Sequence, residues 1–446
     1  MSNRLQLSGL RGFYLLWLSQ FISIFATRVT AFAITIWAWD LTGSTTALVL
    51  VGFTTFIPIA VLGPFAGALV DRIDRKMVIA MSDGASALAT GFLLVLFVTD
   101  QAQVLHLYVA GAFSGIFGAL QYPADAAVIS SMVPKQHLAR ANSMRSLIQS
   151  ASGIGAPLLA GILLVSVGIP GILIIDLATF LLAISALAFV AIPRPKPESD
   201  TGTAGGGFLH DLAKGFRYVF ERRSLLSLFI LLVFVNISTG FEYPLISPLV
   251  LARTGNDATV LGVVSSAGSA GFLAGGLFMT AWGGTRKKIH GVLGGLILTG
   301  AAGAFTMGAG RSVIPWAAGA FLLSFFNPVI NASYMAIIQG KVPQAIQGRV
   351  LGVETLFSTP SFPLAQLAAG LLADRVLEPA SAASRSGPWI WDGIVGDGPG
   401  AGIGLLVLVG GLISIGCGVA GYLILSIREM ETILPDSGPQ DDVPHP

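Results

Sequence analysis

Gly63-Pro64-Phe65-Ala66-Gly67-Ala68-Leu69-Val70-Asp71-Arg72-Ile73-Asp74-Arg75-Lys76 closes one apolar run and opens the next. The first run reaches back to about Thr46 and the second resumes at Met77, so six residues join two long apolar segments. A helix that crosses a bilayer needs about 20 predominantly apolar residues, and both segments reach that length. With so short a connection they lie antiparallel, as a helical hairpin. Arg72, Arg75 and Lys76 make its turn basic, and short basic turns stay on the cytoplasmic side. This turn therefore predicts the orientation of the whole chain.

The composition agrees with a lipid environment. Of 446 residues, 54% are hydrophobic and only 11% charged, with 55 glycines. Soluble domains average about 25% charged residues. A net charge of +2 and the absence of a basic domain exclude nucleic acid as a partner. The single cysteine, Cys417, excludes an internal disulfide framework. Arg4 and Arg11 precede an apolar run that continues to about Trp39, too long for a cleaved signal core, so an uncleaved first helix is expected.

Twelve apolar runs are long enough to span: 12–39, 46–70, 77–98, 103–132, 138–167 and 169–192, then 223–250, 257–282, 289–309, 312–339, 345–373 and 399–427. With both termini cytoplasmic, 20 of the 25 lysines and arginines fall inside. Arg253, Arg311, Arg375 and Arg385 fall outside, and Arg28 alone lies within the membrane. A miscounted helix would invert every later loop and destroy this asymmetry. The expected division is an N-terminal six-helix bundle over 1–192, a cytoplasmic linker over 193–222, a C-terminal six-helix bundle over 223–430 and a tail over 431–446. The linker opens on Pro- and Gly-rich residues, a flexible spacer. It then places Phe208, Leu212, Phe216, Val219 and Phe220 on one side of a short amphipathic helix, expected at the membrane surface.

The halves look related. Val133-Pro134-x5-Arg140 recurs as Val342-Pro343-x5-Arg349, an offset of 209 that also carries Gly161 onto Gly370. The basic turn recurs approximately as Gly283-Gly-Thr-Arg-Lys-Lys288, without its aspartates. Matches in one register favour a duplicated bundle. The fold class is therefore all-α: twelve transmembrane helices in two pseudo-symmetric six-helix bundles.

Gly67-x3-Asp71-Arg72-x2-Arg75-Lys76 resembles the signature between the second and third helices of major facilitator superfamily transporters, with Asp74 where that family usually has glycine. The Asp-Arg-x-Asp-Arg-Lys version is similar to the macrolide-efflux type of drug:proton antiporter. So are Gln121-Tyr-Pro-Ala through Val133-Pro134-Lys135, Ala141-Asn142, and Gly398 to Leu405, which opens the last span. The resemblance implies the major facilitator fold, alternating access, and a proton gradient as the energy source without a cofactor. It implies a small-molecule substrate and the lipid bilayer as partners, a monomer, and a multi-pass protein of the plasma membrane. Gly67, Asp71, Arg72, Arg75 and Lys76 would close the cytoplasmic gate. Arg145 and Glu354, 209 residues apart, are gate charges at equivalent places in the two repeats. Gly153, Gly155, Pro157 and Gly161 in the fifth span resemble the antiporter motif of exporters, with plain helix packing as the alternative. The fourth span lacks the arginine of the usual proton-linked motif.

No enzyme signature is present: no phosphate-binding glycine loop with lysine, no metal-ligand spacing, no nucleophile elbow. Ionisable groups inside the bilayer remain, and these are costly enough to mark function. Arg28 in the first span and Glu242 in the seventh are expected proton-coupling residues that face one another, or else a structural ion pair. Asp125 in the fourth span is either a further proton site or a partner of Arg75. Asp83 is expected in the same inner network as Asp125, and Asp176 as a local hydrogen-bonded group. Phe25, Tyr122, Asn236, Phe241, Asn327 and Asn331, with Gln20 as a further polar handle, are candidate walls of a substrate cavity. The expected function is proton-coupled efflux of amphipathic molecules or drugs. A lipid or siderophore transporter of the same fold, or a non-transporting membrane sensor, are the alternatives.

Overall fold

A computed structural model describes residues 7, 9–70, 73–134, 137–192, 208–383 and 391–434. Among them, twelve helical stretches are long and apolar enough to cross a membrane. The first six are α1 (Gly9–Thr42), α2 (Thr45–Val70), α3 (Arg75–Val98), α4 (Val104–Met132), α5 (Leu138–Ser166) and α6 (Gly168–Ala188). Their surface is inverted relative to a soluble protein. Leu88 is 70% exposed, and in the second half Ile314 is 81% exposed. Apolar surface on this scale is a liability in water and is covered by acyl chains in a bilayer.

The chain divides into two compact units, residues 1–201 with 254–266, and residues 202–253 with 267–446. In the first unit, Phe13, Leu16, Ile79, Val128 and Leu187 form one core cluster, and Val29, Ala33, Ala156, Ala160 and Ile172 form another. Glycines set the closest approach: a Cβ on Gly115 of α4 would stand 2.3 Å from the Thr55 carbonyl of α2. Asp74 caps α3 by accepting from the Lys76 backbone N–H at 2.9 Å. The Lys76 ammonium donates to the carbonyls of Ala188 (3.3 Å) and Val190 (2.8 Å) at the end of α6. Leu7 pairs its backbone with Phe189 and Ala191 at that end. Residues 254–266 join this unit through Ser266, whose hydroxyl donates to the Ile154 carbonyl at 2.7 Å, and Asn256, which accepts from the Trp39 indole at 2.6 Å.

The second unit begins with α7 (Phe208–Phe220) and α8 (Arg223–Glu242). Tyr243-Pro244 removes a backbone donor, and the chain tightens to a 3₁₀ turn at Tyr243–Leu245 before α9 (Ile246–Thr254). Then come α10 (Ala258–Trp282), α11 (Lys288–Leu298), α12 (Phe305–Ala309), α13 (Val313–Lys341), α14 (Gln344–Ser358), α15 (Ser361–Leu372), α16 (Glu378–Ala383) and α17 (Asp392–Val395). The chain ends in α18 (Ala401–Leu423), α19 (Leu425–Arg428) and α20 (Met430–Ile433). Two π segments, Thr299–Ala304 and Ala373–Leu377, widen the ninth and eleventh spans.

One face of α7 packs into protein. Gly215 sits against the Arg349 carbonyl and Val353 of α14, and Val219 is fully buried in the core of the second unit. Met430 and Leu434 enter the same core. Residues 193–207 of the expected linker and 435–446 of the expected tail lie outside the described residues.

The 209-residue repeat has a structural counterpart. Val133 ends α4 at φ −101°, ψ 125°, and Val342 ends α13 at φ −108°, ψ 124°. Each donates its N–H four residues back at 3.0 Å, to Ile129 and to Ile338. The same dipeptide, valine followed by a proline that disfavours helix, stops the helix with the same geometry in both halves.

Candidate functional site

In the first unit α1, α4 and α5 border a small, partly open cleft of about 90 Å³. Phe13, Leu16, Trp17, Ile24, Val128 and Ile148 supply apolar walls, whereas Gln20, Asp125 and Gln149 supply the polar groups. Few convergent polar groups on an apolar wall is the lining that suits an amphipathic ligand. The Arg28 guanidinium donates to Gln149 Oε1. Behind the cleft wall, Asp83 is only 2% exposed. Its Oδ2 accepts from Gln20 Nε2 at 2.7 Å and its Oδ1 from Gln121 Nε2 at 3.3 Å. Further along the unit, Asp176 accepts from Thr27 (3.1 Å) and Thr90 (3.4 Å), the local hydrogen-bonded group that was expected.

In the second unit Glu242 is 0% exposed. It is sealed by close packing, since a Cβ on Gly410 of α18 would stand 2.9 Å from its Cγ. The Ser238 hydroxyl contacts both Glu242 Oε1 (3.0 Å) and the Gly410 carbonyl (2.7 Å), and Glu242 Oε2 has no hydrogen-bond partner among the described residues. One hydroxyl proton thus serves two acceptors. A neutral carboxylic acid, itself able to donate, satisfies this arrangement better than a carboxylate. Within the first unit Arg28 has Gln149 as a partner, and within the second Glu242 has Ser238.

Asn236 donates to the Ser358 carbonyl at 3.0 Å, and Ser358 in turn donates to Glu354 Oε1 at 2.8 Å. Glu354 is thus bound within its own helix. Phe241 and Asn327 are partly buried and Asn331 is exposed. Of the expected gate residues, Lys76 caps α6 and Arg75 opens α3, while Asp71 and Arg72 lie outside the described residues. The side chains at Gly67, Tyr122 and Arg145 are likewise outside them. Sequence reasoning missed Gln149, a neutral residue whose only signal was its polarity within an apolar span.

Residues 16–376 match the Major Facilitator Superfamily. The chain belongs to that superfamily. Macrolide efflux protein A of Streptococcus pyogenes is 25% identical over 377 residues, covering 82% of this chain and 90% of the relative. The enterobactin exporter EntS of Salmonella choleraesuis is 25% identical over 388 residues, covering 84% and 88%. Among solved structures, a bacterial homologue of the human lysosomal transporter Spinster, described as inward-facing and unoccupied, aligns with a TM-score of 0.70 at 14% identity over 97% of this chain and 100% of its own. The POT family transporter PepTSo aligns with a TM-score of 0.66 at 12% identity over 95% and 98%. At these identities the structural likeness shows the fold alone.

In this facilitator the antiporter-like segment lies in α5. Gly155 receives the Phe25 ring, which a Cβ would approach to 2.9 Å, and Pro157 sits inside the helix, its carbonyl 3.2 Å from where a Cβ on Gly262 would be. Gly161 meets nothing within 4 Å, so close packing does not account for it. Gly153 is partly buried in the same helix.

Proposed function

We propose that this major facilitator transporter exports amphipathic small molecules in exchange for protons, by alternating access, with both termini on the cytoplasmic side of the plasma membrane. The observation that supports this reading most is the cleft of the first unit, apolar on most of its wall, with Asp125 and two glutamines on the remainder. A carboxyl group on the wall of a cargo site can exchange a proton for cargo, because a proton or a cationic cargo group neutralises its charge inside the bilayer. Glu242, held by Ser238 in a sealed pocket, is the second proton site. The printed names of the relatives, a macrolide efflux protein and an enterobactin exporter, support export and leave two cargo classes to compare.

The test is uptake of radiolabelled erythromycin, and in parallel of enterobactin, into proteoliposomes with an imposed pH gradient. Uptake of at least one should rise several-fold with the gradient. Asp125→Asn and Glu242→Gln should each lose the gradient-driven component and keep downhill exchange. Equal uptake with and without the gradient would overturn proton coupling.

A further inference from the structure

Asp83 has no place in the reading above, yet it is a buried carboxylate held directly behind the cleft wall by the lining residue Gln20. Both of its described partners are neutral amides: Gln20 Nε2 at 2.7 Å and Gln121 Nε2 at 3.3 Å. The charged groups on the elements around it are occupied elsewhere or stand apart. On α1, Arg28 binds Gln149; on α6, Asp176 binds Thr27 and Thr90; on α4, Asp125 lines the cleft. On its own helix, Arg75 and Lys76 lie at the first turn, about 10–12 Å away at 1.5 Å per residue, with Lys76 engaged at the end of α6.

Gln20 is the only described residue that both binds Asp83 and lines the cleft. A glutamine amide carries a donor end and an acceptor end on one plane, so whichever end faces Asp83 decides which is left for the cleft. With Asp83 ionised, the NH₂ end turns toward the carboxylate and Oε1 is left for the cleft. When a proton from cleft water binds Oδ2, that oxygen becomes a strong donor and a much weaker acceptor. The amide then gains by turning to present Oε1 to the new O–H, leaving NH₂ for the cleft. The 2.7 Å separation suits either order, being within range for a charge-assisted N–H···O and for an O–H···O hydrogen bond. Gln121 can keep donating to Oδ1 in both states, so the exchange needs rotation of one side-chain amide and no backbone movement.

We propose that Asp83 and Gln20 form a proton-operated amide switch that exchanges an acceptor for a donor in the cleft of the first unit. Resting on the export reading, this names the cargo chemistry. Molecules that offer hydroxyl or ammonium donors bind while Asp83 is ionised and are released when it takes up a proton. Asp83 is a positioning residue here, acting on cargo only through Gln20.

The experiment is pH-difference infrared spectroscopy of the purified, lipid-reconstituted protein, with and without side-chain-labelled glutamine. The wild type should show a carboxylic C=O band that is lost in Asp83→Asn. A glutamine amide band, lost in Gln20→Leu, should titrate with the same midpoint. Gln20→Leu should also move the carboxyl midpoint by about one pH unit, whereas Gln121→Leu should leave the Gln20 band coupled to it. A glutamine spectrum that is flat across the Asp83 titration overturns the switch, and this needs only wild-type protein. Erythromycin binding is the functional arm. It should weaken at least tenfold across the Asp83 midpoint in the wild type, and that step should be lost in Asp83→Asn, leaving only the pH dependence that Asp125 contributes. A wild-type affinity that does not change across the Asp83 midpoint overturns the cargo assignment. Failure of proton coupling itself would appear instead as gradient-independent transport, with the two infrared bands still titrating together.

Discussion

Lys76 shows how a residue readable for its charge acquires a structural task that its sequence neighbours do not announce. Its ammonium donates to two carbonyls past the end of α6, at Ala188 and Val190, 112 and 114 residues away. The last carbonyls of a helix have no intrahelical partner, and a cation there satisfies them and complements the helix dipole. Lys76→Met keeps the aliphatic stem and removes the donors. It should lower stability by about 1 kcal/mol, read as a lower midpoint of thermal unfolding in detergent, with Lys76→Arg recovering part of the loss. An unchanged midpoint for Lys76→Met would mean that water replaces the ammonium at no cost. The ionisable residues inside the spans were legible as rare and therefore meaningful, but their partners were not. Glu242 meets Gly410 of α18, and Asp83 meets Gln20 of α1. These are contacts between distant parts of the chain that no local pattern encodes.

At the scale of elements, the last described residues, 425–434, are fastened to the rest of the second unit by a cluster of polar contacts. Lys287 pairs with Glu429 at 3.0 Å, and Glu431 Oε2 accepts from the Ile289 N–H at 3.0 Å, capping the start of α11. Lys341 donates to the Glu431 and Leu434 carbonyls. With Met430 and Leu434 buried below them, α19 and α20 are docked. The hydrogen bond and charge of Lys287, aided by Arg428, hold Glu429 below its ordinary value of 4.5. A carboxylate lowered in the folded state contributes its stabilisation above its unfolded value and loses it as pH falls through the folded one. Protection of the amides of residues 430–434, measured against their intrinsic exchange rates, should therefore fall on acidification below about pH 4.3. Glu429→Gln should already exchange faster at neutral pH and respond less to acid. Protection that is identical in the two proteins would assign the docking to Met430 and Leu434 alone. The start and end of the major helices were readable from runs of apolar residues, but the two π segments were not. In the first of them, Gly300 would place a Cβ 2.2 Å from the Gly411 carbonyl, so close packing against α18 accompanies the widened turn.

For the whole molecule, the bilayer explains why so much was legible. It demands long apolar helices and penalises misplaced charge, so the twelve spans and the 20-to-4 division of basic residues are two records of one constraint. The repeated valine C-caps at Val133 and Val342 carry the duplication from sequence into backbone geometry. The proposed orientation rests on the charge distribution and is open to direct measurement. Cys417 is the single native cysteine and is buried, so Cys417→Ala provides a background at the cost of little volume. On it, cysteines replacing Thr42 and Ser384 should react with an impermeant maleimide in intact cells. Cysteines replacing Gln136 and Gly206 should react only after the membrane is opened. Thr42 and Gln136 flank an odd number of expected crossings, so they cannot share a side if the count is right. Labelling of Gly206→Cys from outside would place the basic connection on the wrong face. It would overturn both the orientation and the assignment of the Asp71–Lys76 turn to the cytoplasm.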